Sequence, residues 1–327
     1  MGRKLNFDIA KAMCIVLVVV GHFFPDGAPT WYVDLRFLIY TFHMPLFLFT
    51  SGYIYQLFKK KEPYRAFVCK KIKRLMVPYF VTSIIIITIK LLTQKNMYVE
   101  NPVTCFSYVK MLYMPEAGYF LWFVWSLFLM FLLIPLLKTK TARMFAFVLS
   151  FIIHYLSFDL TPVFALTETK RMLVWFMFGV VCCDFRVGEV FIRRKWQACF
   201  LCVASVMAFI TFSVINMHRY ASLLSWLGIA VVMIIASLIA YLPKKSFVLN
   251  LFVALSSSSY VIYLFHTTFQ GFAKSMLNRY MGAVDLSNFE FIVEMLIVVS
   301  TGLFFPVLLH KFLLARNTFL KMLFGLK

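Results

Sequence analysis

The feature that most limits what this chain can become is a succession of apolar runs, each about as long as a bilayer's hydrocarbon core is thick. A membrane span needs about 20 mostly apolar residues. Such runs fall at 7–24, 36–58, 72–93, 119–137, 142–158, 172–186, 197–215, 221–242, 247–273 and 289–314. In lipid every backbone N–H and C=O must be paired within its own segment, so runs of this length read as helices. The chain is 62% hydrophobic with a mean hydropathy of +0.86, too apolar for a soluble globule of this size. The expected fold is therefore all-α, a polytopic membrane protein of about ten transmembrane helices forming a single integral domain over 1–327. The first run lacks a small-residue cleavage site and leads into further spans, so it is expected to stay in the mature protein.

Basic residues sort the connections into two sets. One holds Arg3 and Lys4, the dense cluster from Lys59 to Arg74, Lys138, Lys140 and Arg143, then Arg186, Arg193, Arg194 and Lys195, Lys244 and Lys245, and the stretch from Lys311 to Lys327. The other set is poorer in Lys and Arg and carries Asp26, Asp34, Glu100, Glu116, Asp159, Glu168 and Asp285. The positive-inside rule makes the first set cytoplasmic, with both termini inside. A net charge of +20 then reads as loops meeting anionic headgroups, and no nucleic-acid partner is expected. The seven cysteines show no paired metal spacing and read as small apolar residues, so neither disulfides nor a metal is expected.

Against this background the polar residues inside the spans stand out, because ionisable groups there are rare and are read as functional by default. Asp8, Lys11 and His22 share one stripe of the first span. Lys11 and His22 are eleven residues apart, which is about three turns plus 20°, or about 16 Å along a helix. The plain alternative is an anchoring lysine and a satisfied core histidine. In the second span Arg36, Tyr40 and His43 recur at helical spacing, and Pro45 is expected to free a backbone carbonyl beside that stripe. For His43 a helix–helix hydrogen bond serves as well as a functional role.

The connection 59–74 is the most basic part of the chain and ends in Lys70-Lys71-Ile72-Lys73-Arg74-Leu75. It is expected to be the helical approach to the third span. Anchoring alone explains a few charges, whereas this density suits an anionic cytoplasmic ligand such as the phosphates of a nucleotide-type cofactor. Late in the chain Ser259, Tyr263 and His266 fall on one face, and Glu290 and Glu294 on another helix at similar depth. His22, His43, His266 and Glu294 all count to the outer half of the membrane, which looks more like a site than separate accidents. His154, His218 and His310 lie at span ends and are read as ordinary.

These motifs together resemble the acyltransferase-3 family of integral membrane O-acyltransferases. Asp8-Ile9-Ala10-Lys11, ten residues and then His22 is similar to that family's opening D-x-x-R, ten residues, H. Lys71-Ile72-Lys73-Arg74-Leu75, with Pro78-Tyr79 following, resembles its R-x-x-R motif. Ser259-Tyr260-Val261-Ile262-Tyr263-Leu264-Phe265-His266 resembles its late S-Y-x-I-Y-L-x-H signature. The stretch from Phe42 to Tyr53 is similar to the branch containing sugar and enterobacterial common antigen O-acetyltransferases. Lys11 and Lys71 stand where the family has Arg, which keeps the charge and loses the bidentate fork. No hydrolase-like extra domain is expected beside this one.

The resemblance implies transfer of an acyl group, acetyl by default, from cytoplasmic acyl-CoA to a hydroxyl of an extracytoplasmic glycan or lipid-linked sugar. Acyl-CoA would set its phosphates on Lys71, Arg74, Lys73 and Lys70 and thread its pantetheine arm along the Lys11–His22 stripe. His22 would act as general base on the acceptor, or as an acyl-carrying nucleophile, with Asp8 paired to Lys11. Arg36, His43, Glu294, Ser259, Tyr263 and His266 would form the acceptor side. The implied setting is a bacterial cytoplasmic membrane, with acyl-CoA, the sugar acceptor and membrane lipids as partners. A transporter or flippase of an anionic substrate is the main rival, although the absence of repeat symmetry speaks against it. A non-catalytic receptor for an anionic ligand is the second.

Overall fold

A computed structural model describes residues 5–95, 99, 101–187, 195–281 and 288–326. Arg3, Lys4, Arg193, Arg194 and Lys327, read above as cytoplasmic anchors, lie outside the described residues, as do Glu100 and Asp285. Among the described residues every regular element is helical. The helices are α1 (Leu5–His22), α2 (Thr30–Leu57), α3 (Tyr64–Lys71), α4 (Val77–Thr93), α5 (Ser107–Lys110), α6 (Trp122–Leu133) and α7 (Lys140–Tyr155). They continue with α8 (Leu166–Asp184), α9 (Lys195–Asn216), α10 (Ala221–Ile239), α11 (Phe247–Met281), α12 (Asn288–Leu308) and α13 (Thr318–Leu323). A π-turn over Ile72–Met76 joins α3 to α4, and another, Leu309–Leu314, extends α12.

Each apolar run of the sequence lies on a helix. Seven helical stretches are long and apolar enough to cross a membrane: Leu5–His22, Thr30–Leu57, Tyr64–Thr93, Tyr119–Leu136, Ala221–Ile239, Phe247–Arg279 and Asn288–Leu314. The remaining runs fall on α7, with 16 residues, on α8, which carries Glu168, Lys170 and Arg171 near its start, and on α9, whose apolar part is Val203–Asn216. Large apolar side chains stay exposed on these rods: Val214 is 80% and Phe145 69% open. A soluble protein would bury such faces, and here lipid is the solvent that accepts them.

The chain divides into two compact units. The first comprises Met1–Lys59, Trp175–Tyr263 and Asp285–Val299. In it α1 packs on α2, α10 packs on both, and α9 packs on α10. Helices α2 and α8 meet backbone to backbone: a Cβ on Gly52 would strike the Phe176 carbonyl, and one on Gly179 would strike the Phe49 carbonyl and lie 2.9 Å from the Tyr53 nitrogen. Pro45 sits inside an unbroken α2 and cannot donate to the Thr41 carbonyl four residues back. Ser225 of α10 takes that carbonyl instead, its hydroxyl donating at 2.5 Å. Replacing Ser225 with alanine is expected to strand a buried carbonyl and cost about 1–2 kcal/mol, read as a lowered Tm of the detergent-held protein.

The second unit comprises Lys60–Val174, Leu264–Val284 and Ser300–Lys327. Here α3, the first π-turn and α6 pack together. The continuous stretch Tyr64–Thr93 runs antiparallel to α6, since Lys71 meets Phe131 while Tyr79 meets Trp125. The Tyr79 hydroxyl reaches the carbonyls of Met111 and Met114, each at 2.8 Å, and so ties the loop after α5 to the helix. The Thr139 hydroxyl caps α7 by accepting from the Ala142 N–H at 3.0 Å.

Candidate active site

His22 is the last residue of α1, where the helix's final carbonyls lose their intrahelical donors. Side chains of α2 supply replacements on both sides of it. The Tyr32 hydroxyl, fully buried, reaches the carbonyls of Val20 at 2.7 Å and Phe23 at 2.8 Å. Arg36 donates its Nε–H to the Gly21 carbonyl at 2.9 Å, which also places a cation where the helix dipole favours one. The backbone around His22 is thus pinned at three carbonyls, while its ring remains only half-buried.

Tyr40 lies between His22 and His43. Its ring is edge-on to His22 at 6.1 Å and to His43 at 4.8 Å between centroids. The Arg36 guanidinium lies 4.2 Å from the Phe24 ring centre and 4.6 Å from that of Tyr40. Tyr40 is 38% exposed, so the cluster is open to a ligand at its rim. His43 is 3% exposed, and its Nδ1 is 2.8 Å from the Ile39 carbonyl. A carbonyl can only accept, so Nδ1 carries the proton and Nε2 of the neutral ring is the acceptor. The Cys14 thiol donates to the His43 carbonyl at 3.0 Å, locking this part of α2 onto α1.

At the opposite end of α1, Asp8 lies in the first turn and receives the Ser256 hydroxyl of α11 at 3.3 Å. Lys11 is half-buried one turn on, and α1 is one helix from there to His22, so the stripe of polar groups has its expected length of about 16 Å. The Ser259 hydroxyl, by contrast, donates back to the Ser256 carbonyl at 2.8 Å, a bond within its own helix. Tyr263 is 2% exposed. On α12, Phe291 packs against Phe23, Trp31 and Tyr32, with centroids 4.9–5.7 Å away. Glu294, 7% exposed, is three residues further along that stripe.

The second unit holds the basic motif. The Lys71 ammonium sits 3.3 Å above the Phe131 ring centre and 5.2 Å from that of Phe67, a cation–π seat. Lys70 pairs with Glu62. Lys73 and Arg74 are exposed on the π-turn, a helical irregularity that is frequent at functional sites. His266 is fully buried with its ring edge-on to Phe120 at 5.3 Å.

Of the residues singled out from the sequence, the structure brings together His22, Arg36 and His43 around Tyr40. It places Asp8 beside Ser256, and it puts Lys71 at the end of α3, next to the π-turn that carries Arg74. Tyr32, at the first turn of α2, and Ser256, at the head of the serine run, are the polar residues that sequence reading left without a role. Among the described residues no group of three or more His, Cys, Asp or Glu side chains is placed to hold a metal ion.

Comparison with known proteins identifies the family of the chain. The profile of the acyltransferase-3 family, described as an acyltransferase domain, matches residues 4–311. The nodulation protein NolL of Mesorhizobium japonicum is 32% identical over 94 residues, which is 27% of this chain and 25% of NolL. The aligned stretch thus covers about a quarter of that relative's length. No solved structure matches. With nearly its whole length matched by one family profile and its helices long and apolar enough to span a membrane, the chain belongs to the acyltransferase-3 family of membrane acyltransferases.

Proposed function

We propose that the protein moves an acyl group, acetyl by default, from cytoplasmic acyl-CoA to a hydroxyl of an extracytoplasmic glycan or lipid-linked sugar in a bacterial cytoplasmic membrane. The observation that carries this reading is the pinned terminus of α1: a half-buried imidazole held beside Tyr40, Arg36 and His43, with Lys11 and Asp8 further down the same helix. His22, neutral, takes the proton of the acceptor hydroxyl. The hydroxyl oxygen forms its bond to the thioester carbonyl carbon, and the carbon–sulfur bond breaks. The leaving thiolate of CoA collects the proton from His22. Arg36, with Nε committed to Gly21, turns its terminal amino groups to the oxyanion that develops on that carbonyl. The buried His43 and Glu294 complete the polar surroundings on the acceptor side, with Ser259 and Tyr263 of the same unit. Arg74 and Lys73, exposed on the π-turn, and Lys71 and Lys70 beside them, suit the phosphates of CoA.

The test is a donor assay on the full chain held in detergent or nanodiscs. Acetyl-CoA is expected to raise the Tm, a phosphate-stripped analogue is expected to do so less, and free CoA is expected to appear when a hydroxyl acceptor is added. A protein that is not stabilised by acetyl-CoA and releases no CoA with any glycan acceptor would instead carry out transport or binding.

A further inference from the structure

We infer that the C-terminal segment Asn317–Leu326, beyond the stretch matched by the family profile, positions the basic turn through Gly325. Three features build the contact. Asn317 caps α13, its side-chain oxygen accepting from the N–H groups of Phe319 at 2.9 Å and Leu320 at 3.1 Å. Helix α13 then closes with the Gly325 N–H on the Met322 carbonyl and the Leu326 N–H on the Lys321 carbonyl, the paired bonds of a Schellman ending. That ending needs a left-handed residue, and Gly325 has φ +60°. Phe324, 4% exposed, anchors the segment against the Phe265 ring at 5.6 Å.

This ending lies on the backbone of Arg74. A Cβ on Gly325 would sit 2.7 Å from the Arg74 carbonyl oxygen, 2.9 Å from its Cα and 3.1 Å from its carbonyl carbon. The α-hydrogen in that direction therefore points at the oxygen as a weak C–H donor. The residue four beyond Arg74, whose N–H an α-helix would offer to that carbonyl, is Pro78, which has none. Gly325 thus covers the backbone of the very residue whose side chain stays exposed for an anion. It is a positioning residue, and its role rests on the reading of Arg74 as an acyl-CoA phosphate ligand.

The test measures acetyl-CoA binding and steady-state kinetics on the full chain carrying Gly325→Ala, Gly325→Asn, Arg74→Ala and the Gly325→Ala/Arg74→Ala pair. Asparagine tolerates the left-handed backbone but brings the Cβ, so it separates loss of the turn from loss of the contact. Both Gly325 variants are expected to weaken acetyl-CoA binding about tenfold, equivalent to about 1.4 kcal/mol, and to raise its KM more than they lower kcat. The pair is expected to bind no more weakly than Arg74→Ala alone. Wild-type affinity in Gly325→Ala, wild-type affinity in Gly325→Asn, or full additivity in the pair overturns the inference. Wild-type affinity in Arg74→Ala overturns the acyl-CoA reading itself, and the inference with it. If the Gly325 variants fail to fold, hydrogen exchange on the unaltered protein decides. Acetyl-CoA should then protect 72–77 and 318–326 together, and protection of the first without the second would refute the link.

Discussion

Replacing His22 with alanine is expected to abolish acyl transfer, by about 10²–10⁴-fold for loss of a general base, while the protein still inserts and keeps its fold. The second half of that expectation is structural. The end of α1 is held through its backbone carbonyls, with Tyr32 on those of Val20 and Phe23 and Arg36 on that of Gly21. None of these bonds uses the His22 side chain, which is half-buried, so its replacement leaves all three in place. A glycan acetylated by the His22→Ala protein at near wild-type rate, measured by mass spectrometry on purified product, would remove His22 from the chemistry. The same material separates direct transfer from a covalent route. An acyl-enzyme would leave the wild-type chain heavier by one acyl group when donor is added without acceptor, whereas the base role leaves its mass unchanged.

Hydropathy and charge in the sequence were enough to place helices on every apolar run, because in lipid a long apolar segment has no other way to pair its backbone. The stripe of Asp8, Lys11 and His22 was equally visible, since spacing within one helix is fixed by its pitch. What sequence could not supply was neighbourhood. Pro45 announced a carbonyl without its donor, but that the donor is Ser225, 184 positions away, depends on α10 lying against α2. Tyr40 was visible as one member of a polar stripe; its place between His22 and His43 depends on the rotation of α1 against α2. Lys71 and Arg74 were found by their charge. The π-turn that carries Arg74 and the glycine that covers its backbone were not, because a π-turn has no spacing signature in the sequence and the glycine arrives from more than 200 residues further along the chain.

Gly179→Ala is expected to destabilise the first unit about as much as truncating a buried aromatic side chain in its core. Overpacking a well-filled interior by one methyl costs about 1–3 kcal/mol when side chains can shift. Here the obstacle is not a side chain. The added Cβ would meet the Phe49 carbonyl and the Tyr53 nitrogen, and the reciprocal site at Gly52 faces the Phe176 carbonyl, so α2 and α8 can make room only by separating. Separation also pulls apart the aromatic contacts that flank the crossing, those of Phe178 with Phe49 at 5.2 Å and with Trp226 at 4.7 Å. Small residues at such a crossing let helix backbones approach where lipid offers no hydrophobic drive for association. A loss at or above the upper end of that range is the expected result, read as a Tm several degrees lower and as early proteolysis of the detergent-held chain. Residues of α2 at this crossing lead directly, within one helix, to His43, Tyr40 and Arg36, so activity is expected to fall with stability. Gly52→Ala should behave like Gly179→Ala, and the two together should cost less than their sum, because a pair of helices already forced apart by one methyl has room for the second. Wild-type stability in either single variant would mean that α2 and α8 do not touch through these glycines.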